Sequence, residues 1–204
     1  MQSKKTDFNS KKFHKSHLRR SVLKTRQSLS EREWRDRSDR ICRQLHSSST
    51  FASAKTVLGY FSFRGEPDLS PAIDGDRCWG FPRCVGKSLT WHYWNLGDPL
   101  VDGAFGIREP HPQAEAIAPA SVDLMLVPAV ACDANGYRLG YGGGFYDRLL
   151  SLPQWQQVRA IAIVFDFAYL PQLPVDGWDK QLDGVCTESQ FHLFEKHSPS
   201  PTVS

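Results

Sequence analysis

The spacing of apolar and polar positions near the start of the chain predicts two helices. Residues 14–28 are predicted to form the first. Ser30 and Glu33 then form a capping-box pattern, which predicts a second helix running to about His46. One face of this second helix carries Trp34, Ser38, Ile41 and Leu45. Such a stripe is more typical of core packing than of cofactor contact.

Short apolar runs farther along the chain predict strands. They lie at residues 57–61, 78–81, 89–94, 124–127 and 160–165. The runs at 124–127 and 160–165 do not alternate with polar residues, as expected for central strands that are covered on both faces. Because strands and helical segments are mixed, the sequence favours an α/β sheet with helices packed on it over an all-β sandwich.

The run at residues 138–148 is the most informative part of the sequence for function. Within it, four glycines fall within five positions: Gly140, Gly142, Gly143 and Gly144. These glycines can take positive φ angles and let an anion approach the backbone closely. A short amphipathic helical segment follows, and its free N–H groups and dipole favour negative charge. Asp147 lies one turn into that segment, well placed to hold magnesium against phosphates. We therefore predict a phosphate-binding loop.

A flexible turn is the alternative explanation for this loop, because glycine-rich turns are commoner than nucleotide sites. The order of residues does not fit the Walker pattern Gly-x-x-x-x-Gly-Lys-Ser/Thr. It also does not fit the dinucleotide pattern Gly-x-Gly-x-x-Gly with an acidic residue about 20 positions later. An ordinary P-loop and an NAD site are therefore disfavoured.

Charge is distributed unevenly along the 204 residues, although the net charge is only +3. Residues 1–40 hold 13 Lys/Arg against 5 Asp/Glu, and the remainder holds 12 against 17. The basic end attracts anions, and nucleic acid is one candidate. No nucleic-acid motif accompanies it, so a solvated helix face with a loose tail explains most of these charges, and we expect no nucleic-acid partner.

The remaining composition indicates a cytoplasmic protein of one domain. Its length is sufficient for one sizeable core. No apolar run approaches membrane-spanning length, and the first residues lack the apolar core of a secretory signal. Five cysteines are scattered without Cys-x-x-Cys spacing, so neither a disulfide framework nor a zinc site is indicated. They are Cys42, Cys78, Cys84, Cys132 and Cys186.

The glycine run resembles the signature of the 5-formyltetrahydrofolate cyclo-ligase family, also called methenyltetrahydrofolate synthetases. That signature is close to Arg-Leu-Gly-x-Gly-x-Gly-Tyr-Tyr-Asp. This chain departs from it at Phe145, where the family usually has tyrosine, and at Gly143, where some members carry lysine. The resemblance runs from Lys15 to about Glu188 and implies a Rossmann-like, mixed or mostly parallel sheet flanked by helices. We expect one domain over residues 13–196, between disordered tails at 1–12 and 197–204.

The resemblance also implies the site residues. ATP would contact Lys15, Arg19, Arg138, Leu139, Gly140, Tyr141, Gly142, Gly143, Gly144, Phe145 and Tyr146. The folate would contact Phe61, Glu66, Phe105, Tyr141, Gly142, Gly143, Gly144 and Phe145. Magnesium would be held by Asp147 and Asp179. For Glu66, the alternative is an ordinary solvated carboxylate in a loop.

The activity implied is the ATP- and magnesium-dependent cyclisation of 5-formyltetrahydrofolate to 5,10-methenyltetrahydrofolate, with release of ADP and phosphate. Two other functions stay open. One is a non-catalytic nucleotide- or RNA-associated module that kept the loop, and the other is a kinase of another small anion. The expected partners are the small-molecule folate and ATP, and the oligomeric state is left open, with a monomer as one option.

Overall fold

The computed structural model describes residues 2–195, with side chains from residue 11 onward. Its α-helices are α1 (Gln2–Gln27), α2 (Glu31–Ser47), α3 (Ser49–Ser53) and α4 (Phe145–Ser151). The first seven strands are β1 (Thr56–Leu58), β2 (Cys78–Val85), β3 (Ser88–Tyr93), β4 (Leu100–Asp102), β5 (Arg108–Pro110), β6 (Leu124–Pro128) and β7 (Ala131–Asp133). They are followed by β8 (Arg138–Leu139), β9 (Arg159–Ile163), β10 (Tyr169–Leu170), β11 (Gly184–Cys186) and β12 (Phe191–Leu193).

A seven-stranded sheet with the order β12-β11-β9-β6-β1-β2-β3 organises the molecule. The five inner strands run parallel, and the two edge strands pair antiparallel with their neighbours. Two small sheets, β10-β7-β8 and β4-β5, extend from it. The expected mixed, mostly parallel α/β sheet flanked by helices is therefore confirmed.

Both faces of the central strands are covered, as their unbroken apolar runs predicted. Along β6, Leu124 and Leu126 enter the core cluster that packs against α2, whereas Met125 and Val127 enter the cluster that packs against α1 and α4. All four are buried. The alternation of side chains along a strand distributes one apolar run between two cores. This leaves the carboxyl ends of the strands, where the loops begin, as the accessible part of the sheet.

The capping box predicted at Ser30 is present. The Ser30 hydroxyl accepts a hydrogen bond from the Glu33 N–H, and the Glu33 carboxylate accepts one from the Ser30 N–H. Ser38, Ile41 and Leu45 are buried, so the stripe on α2 packs in the core as expected.

The ends of the chain differ from the sequence-based expectation in one respect. The helical pattern begins at residue 14, but α1 has helical backbone from Gln2. The division into a basic tail and a domain stays a prediction, and the tail predicted at 197–204 lies outside the described residues. Among residues 2–195, no helix is both long and apolar enough to cross a membrane.

Candidate functional site

The glycine loop, Gly140–Gly144, connects β8 to α4 at one end of the sheet. Gly142 has a φ angle of 103°, and Gly144 has a φ angle of 67° where it caps α4 in the left-handed conformation. A Cβ atom on Gly144 would lie only 2.9 Å from Nη1 of Arg148. Two of the four glycines are therefore required by backbone geometry. Because α4 has only seven residues, its dipole contributes less than the sequence suggests.

Helix α1 places basic side chains beside this loop. Nε of Arg19 donates a hydrogen bond of 2.6 Å to the carbonyl oxygen of Gly140. Lys15, four residues earlier, is one turn away on the same face of the helix. Burial lowers the pKa of Arg19, and the Asp179 carboxylate nearby opposes that effect. The two cations that the sequence assigned to ATP thus lie on the face of α1 that meets the loop.

The segment at residues 176–180 brings carboxylates to the same place. Nζ of Lys15 lies 2.6 Å from Oδ2 of Asp176 and 2.6 Å from Oδ2 of Asp179. The Asp176 N–H also donates to Oδ2 of Asp179, at 2.8 Å. The carboxylate predicted to bind magnesium is therefore held by the lysine predicted to bind ATP.

Arg138 and Asp147, which lie before and after the glycine loop in sequence, form a second ion pair. Nη2 of Arg138 lies 2.9 Å from Oδ1 of Asp147, and the side chains are 4% and 26% exposed. Both also contact the backbone of Lys180, which follows Asp179 directly. The two predicted metal ligands are thus linked through one residue. Across residues 2–195, no group of three or more His, Cys, Asp or Glu side chains could hold a metal ion by itself.

Glu66 lies in the loop that follows β1, and the structure excludes the solvated alternative. Its side chain is buried, with only 4% of the residue exposed. A tight turn through Arg64 and Gly65, both with positive φ, directs its Oε2 back to the Phe63 N–H at 3.1 Å. Burial raises the pKa of the Glu66 carboxyl to about 7, although Arg26, the Phe63 N–H and the Tyr141 hydroxyl oppose the rise.

Tyr141 of the glycine loop connects this carboxylate to α1. Its hydroxyl lies near the Glu66 carboxylate and opposes the rise of that carboxyl's pKa. It also accepts a hydrogen bond from Nη2 of Arg26, which lies seven residues after Arg19 on the same face of α1. The loop predicted for ATP and the loop predicted for folate therefore share one hydroxyl.

The remaining predicted side chains lie around these two loops. The exposed ring of Phe105 stands edge-on to Phe145, with centroids 6.0 Å apart. Tyr146 is partly buried, and burial, followed by the charge of Glu66, raises its pKa. Phe61 is only partly buried but stacks on Phe81 with centroids 4.3 Å apart, so core packing uses much of its ring. Its folate contact stays a prediction.

Two charged residues in this cluster were not singled out from the sequence. Arg26 could have been found from the spacing of 15, 19 and 26, which recurs on one helix face. Asp176 had no such signal, because its role depends on Lys15, which is distant in sequence.

Comparison with known proteins identifies a family. The model of the 5-formyltetrahydrofolate cyclo-ligase family matches residues 11–188. The chain is 30% identical over 178 residues to a 5-formyltetrahydrofolate cyclo-ligase of Escherichia coli, covering 83% of this chain and 97% of that protein. It is 33% identical over 191 residues to the enzyme of the same name from Mycolicibacterium smegmatis, covering 85% and 93%.

A solved structure is also similar over nearly the whole chain. The NMR structure of 5,10-methenyltetrahydrofolate synthetase from Aquifex aeolicus superimposes with a TM-score of 0.79 and 34% sequence identity. The match covers 91% of this chain and 95% of that one. The residues that the family model matches, 11–188, include the glycine loop and the segments that surround it.

Proposed function

The chain belongs to the 5-formyltetrahydrofolate cyclo-ligase family, and we propose that it uses ATP and magnesium to form 5,10-methenyltetrahydrofolate from 5-formyltetrahydrofolate. Membership makes it a ligase of folate one-carbon metabolism. The use of ATP, the metal and the chemical steps are the proposed part. ADP and phosphate are the other products.

The observation that carries this proposal is the convergence of separate elements on the glycine loop. Arg19 from α1 contacts the loop, Lys15 lies one turn away, and Arg138 lies two residues before the loop. A triphosphate needs such positive charge together with backbone that it can approach closely. A loop that was merely a flexible turn would not need buried cations from two distant parts of the chain.

The reaction needs activation because the formyl oxygen on nitrogen 5 is a poor leaving group. In the proposed sequence, that oxygen attacks the γ-phosphorus of ATP, and the bond to the ADP oxygen breaks. Nitrogen 10 then attacks the formyl carbon, loses its proton, and the carbon–oxygen bond breaks to release phosphate. The products are the 5,10-methenyl ring, ADP and phosphate. The main tasks of the protein are to position the reactants and to neutralise charge.

Individual side chains are assigned to these tasks. We assign Lys15, Arg19 and Arg138 to phosphate charge and the glycine loop to the transferring phosphoryl group. Asp147 and Asp179 would hold magnesium. Each of these carboxylates is paired with a cation, Asp179 with Lys15 and Asp147 with Arg138. Asp147 also accepts a hydrogen bond from the N–H of Lys180, the residue after Asp179, and two carboxylates linked in this way suit an ion that takes one or two carboxylates and completes its shell with water and phosphate. When bound, that ion supplies charge neutralisation for the phosphates.

The folate is assigned to the side of Tyr141 where Glu66 lies, away from the phosphates. Glu66, when ionised, can accept hydrogen bonds from the ring nitrogens and amino group of the pterin. The rings of Phe105 and Phe145 stand edge to face, and together with Phe61 they would contact the folate. Because Tyr141 of the glycine loop lies near Glu66, the formyl group would lie near the γ-phosphate. We also propose a cytoplasmic location, which the five free thiols support.

The test uses purified protein with ATP, magnesium and 5-formyltetrahydrofolate, and follows the absorbance of the methenyl product. We expect chromophore and ADP to form in equal amounts, and neither to form when ATP is omitted. ADP released without chromophore would favour a kinase of another anion. Nucleotide binding without either product would favour a non-catalytic module.

A further inference from the structure

Arg26 is a buried cation that the proposed reaction does not use. It lies in the last turn of α1, with only 3% of the residue exposed. Nη2 donates to the Tyr141 hydroxyl, and Nη1 lies 3.4 Å from the carbonyl oxygen of Ala129. In residues 2–195, the structure gives its Nε no hydrogen-bond partner. A guanidinium this deeply buried, with only neutral acceptors, needs a negative charge nearby to offset its desolvation.

That negative charge is Glu66. The charge of Arg26 lowers the pKa of the Glu66 carboxyl, and the Tyr141 hydroxyl, which accepts a hydrogen bond from Nη2 of Arg26, also lies near that carboxyl. The stem of Arg26 also packs under the turn that directs Glu66 inward. A Cβ atom on Gly65 would lie 3.7 Å from Cγ of Arg26. Arg26 therefore acts on Glu66 both by charge and by supporting its backbone.

We propose that Arg26 is a positioning residue for the Glu66 carboxylate, acting through the Tyr141 hydroxyl and through the turn at Gly65. The inference deepens the proposed function, because it assumes that Glu66 binds the pterin. In this arrangement Arg26 favours the charged form of the buried Glu66 carboxyl and fixes the direction in which the carboxylate points. It touches neither substrate nor the reacting atoms itself.

The other groups that face Glu66 cannot supply this charge. They are Tyr60 from the end of β1, Tyr141 from the glycine loop and Tyr146 from α4. All three are phenols, and the pKa of each is raised by burial in the first place and by the charge of Glu66 in the second, so they stay neutral near pH 7. Trp34 of α2, which is uncharged, donates to the backbone oxygen of Glu66. Arg26 is therefore the cation that acts on this carboxylate.

The test measures the pKa of Glu66 directly in the ligand-free protein. Glutamate labelled with carbon-13 at the carboxyl carbon is followed by NMR as the pH is raised, and loss of one signal in Glu66→Gln assigns it. In the unaltered protein the signal should titrate near 7. In Arg26→Met, which keeps the apolar stem and removes the charge, the midpoint should rise by at least about one pH unit.

The matched control is Lys24→Met, which removes an exposed cation two residues away on α1 and should leave the midpoint unchanged. Arg26→Lys restores the charge without the planar fork, so the midpoint should return toward 7. In turnover assays, the acidic limb of kcat/KM for formylfolate should move with the midpoint, while KM for ATP changes less than twofold. If Arg26 only anchored α1, Arg26→Met would lower stability but would change neither the Glu66 midpoint nor the acidic limb of kcat/KM.

An unchanged Glu66 midpoint in a folded Arg26→Met protein would overturn the proposal. If that variant does not fold, Tyr141→Phe decides the matter, because Tyr141 is 39% exposed and its ring is retained. Loss of the hydroxyl should raise the midpoint, and an unchanged value would equally overturn the proposal. Because the NMR titration needs no turnover, failure of the cyclisation assay would refute the proposed function separately.

Discussion

Replacing Asp147 with asparagine should affect both turnover and folding stability. Sequence reasoning expects only the first effect, because a carboxylate one turn after the loop is expected to face solvent and ligand. In the structure Asp147 lies 2.9 Å from Arg138, whose side chain is 4% exposed. Asp147→Asn therefore leaves a buried guanidinium without its charged partner. Arg138 would then keep its hydrogen bond to the Lys180 carbonyl oxygen and its position over the Tyr146 ring.

The size of the stability loss follows from the burial of the pair. Breaking a fully buried ion pair costs about 3–5 kcal/mol. Because the Asp147 side chain is 26% exposed, solvent can partly replace it, and we expect about 1–3 kcal/mol. For a chain of this length that corresponds to a fall in Tm of roughly 2–12 °C. Turnover should fall by about a hundredfold, the usual scale for losing a positioned electrostatic group.

Thermal unfolding and turnover at limiting magnesium measure the two effects separately. The control is Asp36→Asn, which breaks an ion pair of the same 2.9 Å length with Arg40 on the exposed face of α2. That change should lower Tm by less than about 2–4 °C, because exposed pairs contribute at most about 1 kcal/mol. Adding Arg138→Met to Asp147→Asn should restore part of the stability and none of the activity. Normal Tm and turnover in Asp147→Asn would refute both assignments.

Three further outcomes are expected. Gly142→Val should abolish ATP binding, measured by calorimetry, and leave the far-UV circular dichroism spectrum unchanged. The control is Gly97→Val, at a residue with a φ of 100° and open space around it, which should leave ATP affinity intact. Arg19→Ala should raise KM for ATP about 5- to 150-fold, the equivalent of about 1–3 kcal/mol, whereas Arg20→Ala, exposed on the same helix, should not. KM for formylfolate should fall as pH rises through about 7, because Glu66 becomes charged only above its raised pKa; the same profile should be flat in Glu66→Gln.

The parts of the fold that were predictable are those whose pattern is local. The capping box at Ser30 and the unbroken apolar runs at β6 and β9 depend on neighbouring residues, and each is found where expected. The strands β11 and β12 were not predicted, because each has only three residues and neither lies in a long apolar run like those at β1, β6 and β9. A three-residue strand shows no periodicity. β11 exists because it pairs with β9 in parallel, which is a relation between residues more than 20 positions apart.

The candidate site was predictable as a set of residues but not as a set of pairs. The glycine loop stands out from spacing and backbone chemistry alone. The partners of its charges do not, because Lys15 meets Asp179 across 164 positions. Glu66 is buried rather than exposed, and the reason is also non-local. Its neighbours in sequence are typical of an exposed loop, and it is buried because Arg26 and Tyr141 approach it from elsewhere in the chain.

The ion pairs within the site bear on how ligands would enter it. In the described structure Lys15 pairs with both Asp176 and Asp179, and Arg138 pairs with Asp147. Phosphates that bind these cations must displace the carboxylates, and a carboxylate left alone in a partly buried place is costly. A divalent cation that binds together with the phosphates would pair with those carboxylates, so that Lys15 and Arg138 could pair with the phosphates instead. Nucleotide and metal should therefore bind more tightly together than separately, because each alone leaves one half of an ion pair unmatched.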